Sequence, residues 1–101
     1  MKNDKYYFTY IGTNHSRHTV LYTGISNNIL NRGNQHKIKL NKNSFSAKYN
    51  INKIVYYEPY NDVRDAITRE KEIKGWTRKK KIELIKSINP DWIDLVRKTF
   101  G

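Results

Sequence analysis

The stretch that decides the fold is KYYFTYIGTNHSRHTVLYTGI, residues 5–25. Aromatic and β-branched side chains dominate residues 5–11 and again residues 19–25, a composition typical of β-strands. The polar segment between them, residues 12–18, contains the glycine, asparagine and serine that favour a hairpin loop. We therefore expect the chain to begin with two antiparallel strands.

The following segments predict a helix, a loop and a third strand. Residues 26–40 predict a helix, because apolar and small residues recur there at helical spacing. Residues 41–52 are polar and indicate a loop. Residues 53–60, KIVYYEPY, predict a strand that should end at Pro59, since proline cannot donate a hydrogen bond to a sheet.

The remainder of the chain is predicted to be helical. A helix over residues 62–74 would take Asn61 or Asp62 as its N-cap and would end at Gly75. Gly75 would separate this helix from the basic helix that follows it.

Two helices are expected beyond that glycine. Thr77 can cap residues 78–88, and Pro90 would be the first residue of a short last helix, a position that tolerates proline. The predicted order is β-β-α-β-α-α(-α). This is the α+β class, or α/β in the broad sense, with a small three-stranded, mostly antiparallel sheet flanked by helices.

Composition limits the partners of the chain. Its 101 residues suit a single domain over residues 1–101. The 20 Lys and Arg against nine Asp and Glu give a net charge of +11, and no acidic residue lies between Asp4 and Glu58. Such a field favours a polyanionic partner, most often nucleic acid, although lysines can also serve solubility alone.

Other classes of protein are disfavoured. The chain has no cysteine, which excludes disulfide frameworks and cysteine zinc sites. No apolar run approaches the roughly 20 residues of a membrane span, and the first residues lack the apolar core of a signal peptide. We expect a cytoplasmic protein without a membrane partner.

Glu70 occupies a costly position for a carboxylate, on the apolar stripe of the predicted helix 62–74. The stripe consists of Val63, Ala66, Ile67 and Ile73. A carboxylate that faces a core needs a cation, a metal ion or several hydrogen bonds. The residues alone leave a structural ion pair, a solvated edge and a functional carboxylate open.

Arg32 and His36 lie four residues apart in the predicted helix 26–40 and share one face. Arg32 can fork onto a phosphate, and His36 can exchange a proton with one. Taken alone, each residue is better explained structurally, as an exposed arginine and as a capping or half-buried histidine.

Basic residues also begin the predicted helix 78–88, as Arg78, Lys79, Lys80 and Lys81. Cations in a first helical turn oppose the helix dipole by about 0.3–1 kcal/mol each. A docked phosphate would compensate for this cost, whereas a solvated charge run would simply tolerate it.

The order of motifs resembles the GIY-YIG nuclease superfamily. The matching segments are YYFTYI, LYTGI, NRGNQH, IVYYE, REKEIKGWTRKKKIELI and NPDWIDL. They resemble the small stand-alone bacterial members, related to the N-terminal nuclease domain of the excinuclease C subunit. The resemblance implies a DNA endonuclease with a link to DNA repair, and no small-molecule cofactor.

The resemblance assigns the two tyrosines of the opening stretch. Tyr10 matches the tyrosine of the GIY element, in which Phe8 and Thr9 stand for glycine and isoleucine. The YIG position falls on the residues from Tyr22 to Gly24, ten residues before Arg32, and the literal Tyr-Ile-Gly that begins at Tyr10 is not the equivalent. Gly24 would let a phosphate or a backbone come close.

The resemblance also implies the chemistry of the site. Glu70 would be the single protein ligand of a divalent metal, Mg²⁺ or Mn²⁺. Tyr10 would position or deprotonate the attacking water, and Tyr22 would hold that water or the phosphate. Arg32 would stabilise charge on the phosphate, and His36 would transfer a proton.

Further positions are implied for DNA contact. Lys48 and Tyr49 match a loop beside the site, and the basic run that begins at Arg78 would follow the DNA backbone. Asn89 matches a late family asparagine, although its place before Pro90 also suits an N-cap.

One departure concerns the environment of Arg32, because the acid that precedes this arginine in the family is replaced by Leu30 and Asn31. Two alternatives to a nuclease remain. One is a nucleic-acid-binding module with an idle site, and the other is an RNA-binding accessory protein. Protein partners cannot be inferred.

Overall fold

The computed structural model describes residues 6–14, 20–27 and 51–96, without the side chain of Asn52. The elements in chain order are β1 (Tyr7–Asn14), β2 (Leu21–Ser26), β3 (Ile51–Tyr60), α1 (Val63–Lys74) and α2 (Arg78–Ile88). The helix predicted over residues 26–40 and the loop predicted over residues 41–52 lie mostly outside the described residues. Both predictions were wrong at the ends that the structure describes, because Ser26 still pairs with Phe8 in β2 and Ile51 already pairs with Asn14 in β3.

The described strands form one antiparallel sheet in the order β2-β1-β3, which confirms the predicted fold class. The first strand is longer than predicted and continues to Asn14. Pro59 does not end β3, because it pairs with Phe8 and Tyr60 pairs with Tyr7. Since β3 is an edge of the described sheet, a proline that lacks a donor can be accommodated there.

Both predicted helix starts are confirmed. The Asp62 side chain accepts a hydrogen bond from Arg64 N at 2.9 Å and caps α1. Thr77 Oγ1 accepts from Lys80 N at 3.2 Å and caps α2. Gly75 ends α1 with a right-handed φ of −81°, so the end of this helix does not depend on the left-handed freedom of glycine.

The last predicted helix was wrong in its starting point. A turn covers residues 90–91, Trp92 adopts the left-handed φ of 56°, and helical backbone begins only at Leu95. The Asn89 side chain explains this. Its amide donates to Val55 O and Ile93 O, both at 2.9 Å, and its oxygen accepts from Ile93 N at 3.0 Å.

The sheet is covered on both faces. Helices α1 and α2 pack on one face, and the buried residues there are Ile11, Val55, Tyr56, Ile73 and Ile85. Trp76 and Trp92 pack against this cluster, as expected of aromatic core anchors. The buried residues of the opposite face are Tyr10, Ile54 and Val96.

Neither α1 nor α2, the helices in the described ranges, has the length and apolar character required to cross a membrane.

Candidate active site

The two predicted tyrosines meet on the sheet. Tyr10 lies on β1 opposite Gly24 of β2, and Tyr22 lies opposite Gly12. The two rings are 6.1 Å apart between centroids and tilted by 53°. Tyr10 is only 1% exposed, whereas Tyr22 is partly exposed. The pair therefore presents one buried and one accessible phenol.

Gly24 makes this pairing possible. A Cβ atom at Gly24 would lie 2.8 Å from the Tyr10 hydroxyl oxygen and 2.9 Å from Tyr22 Cε2. Real side chains do not approach so closely, so a larger residue would displace both phenols. The close approach expected at this glycine is thus made by the two tyrosine rings.

Both phenols point away from α1. Thr9 Oγ1 donates to Ala66 O of α1 at 2.8 Å, and neighbouring side chains in a strand point to opposite faces. Tyr10 therefore points to the other face. Tyr22 shares that face, because its partner Gly12 lies two residues beyond Tyr10.

Glu70 stands on one flank of α1. Ala66 and Ile73 face the sheet and are fully buried, and Glu70 lies on one side of them while Arg69 lies on the other. The Glu70 side chain is 16% exposed, and Lys74 Nζ is 2.9 Å from its Oε2. The Glu70 carboxylate, which the stripe predicted to face inward, is therefore mostly but not fully buried. It is already paired with the ammonium group of Lys74.

The rest of the predicted stripe is less buried than expected. Val63 and Ile67, which share the flank of Glu70, are both 36% exposed. Their apolar periodicity therefore overstated the width of the buried face, since only Ala66 and Ile73 of α1 are buried.

The donor chemistry of Glu70 fits a hard divalent cation. Mg²⁺ in proteins commonly takes one or two carboxylates and completes its octahedron with water and phosphate oxygens. Among the described residues, no group of three or more histidine, cysteine, aspartate or glutamate side chains could hold a metal ion. A metal held by Glu70 would therefore take its other ligands from water and, once DNA is bound, from the substrate as well.

A second carboxylate, Glu58, forms a polar cluster that sequence reasoning missed. Glu58 on β3 accepts hydrogen bonds from the Tyr56 hydroxyl and, at 2.5 Å, from the Tyr60 hydroxyl. Arg69 of α1 donates to both Glu58 oxygens, at 2.9 and 3.2 Å from Nε, and Arg69 Nη1 is 2.5 Å from Glu72 Oε1. The period-two spacing of Tyr56, Glu58 and Tyr60 was the available signal, because it places all three on one face.

The cluster shifts the pKa values of its members. Burial raises the pKa of Tyr60 to about 12, and the hydrogen bond to Glu58 adds to the rise. Burial and the same carboxylate also raise the pKa of Tyr56. Burial alone would raise the pKa of Glu58, but the hydrogen bonds from Arg69, Tyr56 and Tyr60 outweigh it, and the pKa of this carboxyl is lowered.

An open groove of about 550 Å³ lies beside this cluster, between β3 and α1. Its lining residues are Glu58, Tyr60, Asp65, Thr68, Arg69 and Glu72. The groove lies on the Arg69 flank of α1, away from Glu70. Its acidic lining does not suit a nucleic-acid backbone.

The basic start of α2 is presented to solvent in part. Arg78 and Lys79 are exposed and Lys81 is partly buried. Lys80 Nζ lies 4.3 Å from the ring centroid of Trp76, a cation–π contact. The four cations therefore differ in their exposure and contacts, and Lys80 already contacts the Trp76 ring.

Asn89 is used by the backbone. It is 3% exposed, and its amide group bonds to Val55, at the centre of β3, and to Ile93 in the following turn. Its oxygen accepts a backbone N–H of the turn that follows, as in a cap. The other predicted site residues, Arg32, His36, Lys48 and Tyr49, lie outside the described residues.

Comparison with known proteins places these residues in context. The family model described as the GIY-YIG catalytic domain matches residues 6–83. The UPF0213 protein CPE1444 of Clostridium perfringens (strain 13 / Type A) is 39% identical over 71 residues, which cover 66% of this chain and 71% of that protein. No solved structure gives a significant match.

Proposed function

Because the chain belongs to the GIY-YIG catalytic domain family, which supports a nuclease-type function, we propose that it is a metal-dependent DNA endonuclease. The observation that carries the proposal is the packed pair of Tyr10 and Tyr22 over Gly24. The two tyrosines that the resemblance assigns to the GIY and YIG elements lie side by side on the sheet, which supports the proposal. The net charge of +11 suits a nucleic-acid substrate.

The reaction proposed is hydrolysis of a phosphodiester bond. A water molecule gives up a proton as its oxygen attacks phosphorus, the bond to the leaving sugar oxygen breaks, and that oxygen takes up a proton. A divalent ion, Mg²⁺ or Mn²⁺, would supply Lewis-acid stabilisation of the phosphate when bound. Glu70 would hold it, Arg32 would bind the phosphate oxygens, and His36 would transfer the proton.

The exposure of the two phenols supports a division of labour. Tyr22 is partly exposed and can contact the water or the phosphate directly. Tyr10 is 1% exposed and packs against the Tyr22 ring, which favours a role in orienting that phenol. This exchanges the roles that the family resemblance implies for the two tyrosines.

The site is proposed to lie at the β2 edge of the described sheet. Tyr10 and Tyr22 face away from α1, whereas Glu70 is carried by α1. Groups on opposite faces can share one phosphate only where the sheet ends, and β2 is an edge strand in the order β2-β1-β3. Arg32 and His36 follow β2 directly in the sequence, which suits this edge.

The test is cleavage of plain, branched and flapped DNA with Mg²⁺, with Mn²⁺ and with a chelator. We expect metal-dependent nicking by the native protein and a loss of at least roughly a thousandfold in Glu70→Gln, because the charge that holds the metal is removed. DNA binding by fluorescence anisotropy should survive this substitution. Glu72→Gln is the matched control, since Glu72 lies on the same helix but on the Arg69 flank.

Three results would contradict the proposal. Equal cleavage by the native protein and Glu70→Gln would remove Glu70 from the site. Metal-independent DNA binding without cleavage would favour a nucleic-acid-binding module with an idle site, and preferential binding of RNA would favour an accessory protein.

Arg32→Ala should lower kcat more than it raises KM, because the contact of Arg32 with the phosphate strengthens in the transition state.

A further inference from the structure

Thr9 is completely buried on β1, and its side chain leaves the sheet towards α1. Its hydroxyl donates to Ala66 O at 2.8 Å, a bond between residues 57 positions apart in the chain. In an α-helix the carbonyl of residue 66 also accepts the amide N–H of residue 70. Thr9 is therefore bonded to the same carbonyl oxygen that fixes the backbone of Glu70.

The neighbours of Thr9 make this bond relevant to the site. Tyr10 is the next residue of β1 and points to the opposite face. One peptide thus links the buried phenol to a hydroxyl that is tied to the helix of Glu70. Since Tyr10 and Glu70 lie on different elements and different faces, contacts between β1 and α1 set their separation.

We propose that Thr9 is a positioning residue. It fixes the register between β1, which carries Tyr10, and α1, which carries Glu70, so that the Tyr10–Tyr22 pair and Glu70 act on the same phosphate. This inference rests on the proposed function. Its geometric basis is the Thr9–Ala66 hydrogen bond alone. The isoleucine of the family's element could not make this bond, because it has no hydroxyl group.

The chain offers a matched control on the same strand. Thr13 is also completely buried, lies on the same face as Thr9, and donates to a backbone carbonyl, Val20 O, at 2.6 Å. That carbonyl precedes β2 and is not part of α1. Valine replaces threonine with nearly the same shape, so Thr9→Val and Thr13→Val each remove one buried hydroxyl donor.

The experiment compares these variants with Thr9→Ser, which keeps the hydroxyl. Binding of Mn²⁺ alone is measured from the paramagnetic broadening of the Glu70 amide signal in the ¹⁵N spectrum, and cleavage is measured as kcat and KM. We expect Thr9→Val to weaken Mn²⁺ binding and to lower kcat, each by about fivefold, with KM for DNA unchanged. Thr9→Ser should restore both.

Thr13→Val separates positioning from stability. We expect both valine variants to lower the urea midpoint by similar amounts, while Thr13→Val leaves Mn²⁺ binding and kcat at native values. Equal behaviour of the two valine variants in these readouts would overturn the inference and leave the proposed function intact. Absence of Mn²⁺ broadening at Glu70 in the native protein would instead overturn both.

Discussion

The two flanks of α1 carry carboxylates in similar shelter but with different surroundings. Glu58, which docks on the Arg69 flank, is 18% exposed, and Glu70 on the other flank is 16% exposed. Glu58 receives hydrogen bonds from two phenols of its own strand and from the Arg69 guanidinium of α1. Among the described residues, Glu70 is paired with Lys74, which lies one turn along the same helix.

The hydrogen-bond partners therefore distinguish a structural carboxylate from one that is available to bind a ligand. A carboxylate whose oxygens accept several strong hydrogen bonds holds elements together and has little capacity left for a ligand. A carboxylate paired with a flexible, 53% exposed lysine can exchange that cation for another. Shelter alone therefore does not identify a metal ligand, and the nature of the partner does.

The largest effect expected from the difference between the two carboxylates is on stability. Glu58→Gln should lower the free energy of unfolding by about 2–3 kcal/mol, because it removes the charge that accepts hydrogen bonds from Arg69 and from two phenols and leaves Glu72 as the remaining charged partner of Arg69. Glu70→Gln should change it by no more than about 0.5 kcal/mol, as for other pairs one helical turn apart. Urea denaturation of the two variants measures both values, and equal losses would contradict the distinction between the flanks.

The second expected effect is a pH dependence confined to the Glu58 flank. The pKa of Tyr60 is raised to about 12 by burial and by Glu58, so the folded state keeps a proton that the unfolded chain loses near pH 10. This contribution to stability is complete below pH 10 and is lost as the pH rises towards 12. Urea midpoints measured through this range should fall in the native protein.

Two variants test this assignment. Tyr60→Phe should reduce the alkaline loss of stability and remove one late phenol from the ultraviolet titration, because it deletes the ionising group. Glu70→Gln should leave the alkaline loss unchanged, since no phenol of this cluster contacts Glu70. A partial loss should remain in Tyr60→Phe, because the pKa of Tyr56 in the same cluster is also raised. An alkaline loss as large as that of the native protein would contradict the assignment to Tyr60.

The sequence predicted what depends on local spacing. Thr77 was identified as a cap, and Asp62 as one of two candidates beside Asn61, because a capping side chain acts within three residues of itself. Glu70 was singled out by its place on a helical stripe, and the three strands by their composition. In each case the sequence signal that allowed the prediction lies within a single helix or strand.

The sequence did not predict what depends on contacts between distant segments. The bonds from Glu58 to Arg69 and from Asn89 to Val55 join residues 11 and 34 positions apart. The bond to Val55 helps to hold the turn at Pro90 in which a helix was predicted. Such bonds override local helix signals, because a buried amide must satisfy its hydrogen-bonding groups wherever partners lie.

The smallest expected effect concerns Lys74, and it tests whether Glu70 is available to a metal. If the lysine only occupies the carboxylate, Lys74→Gln removes a competitor, and Mn²⁺ should bind about twofold more tightly, as a pair worth about 0.3–0.5 kcal/mol implies. Stability should change by a similar small amount. Lys71→Gln is the control, because Lys71 is also exposed on α1 but lies one residue beyond Glu70 and does not share its face. Weaker Mn²⁺ binding in Lys74→Gln would mean that the lysine orients the carboxylate instead of competing for it, and the two flanks of α1 would then resemble each other more than their contacts indicate.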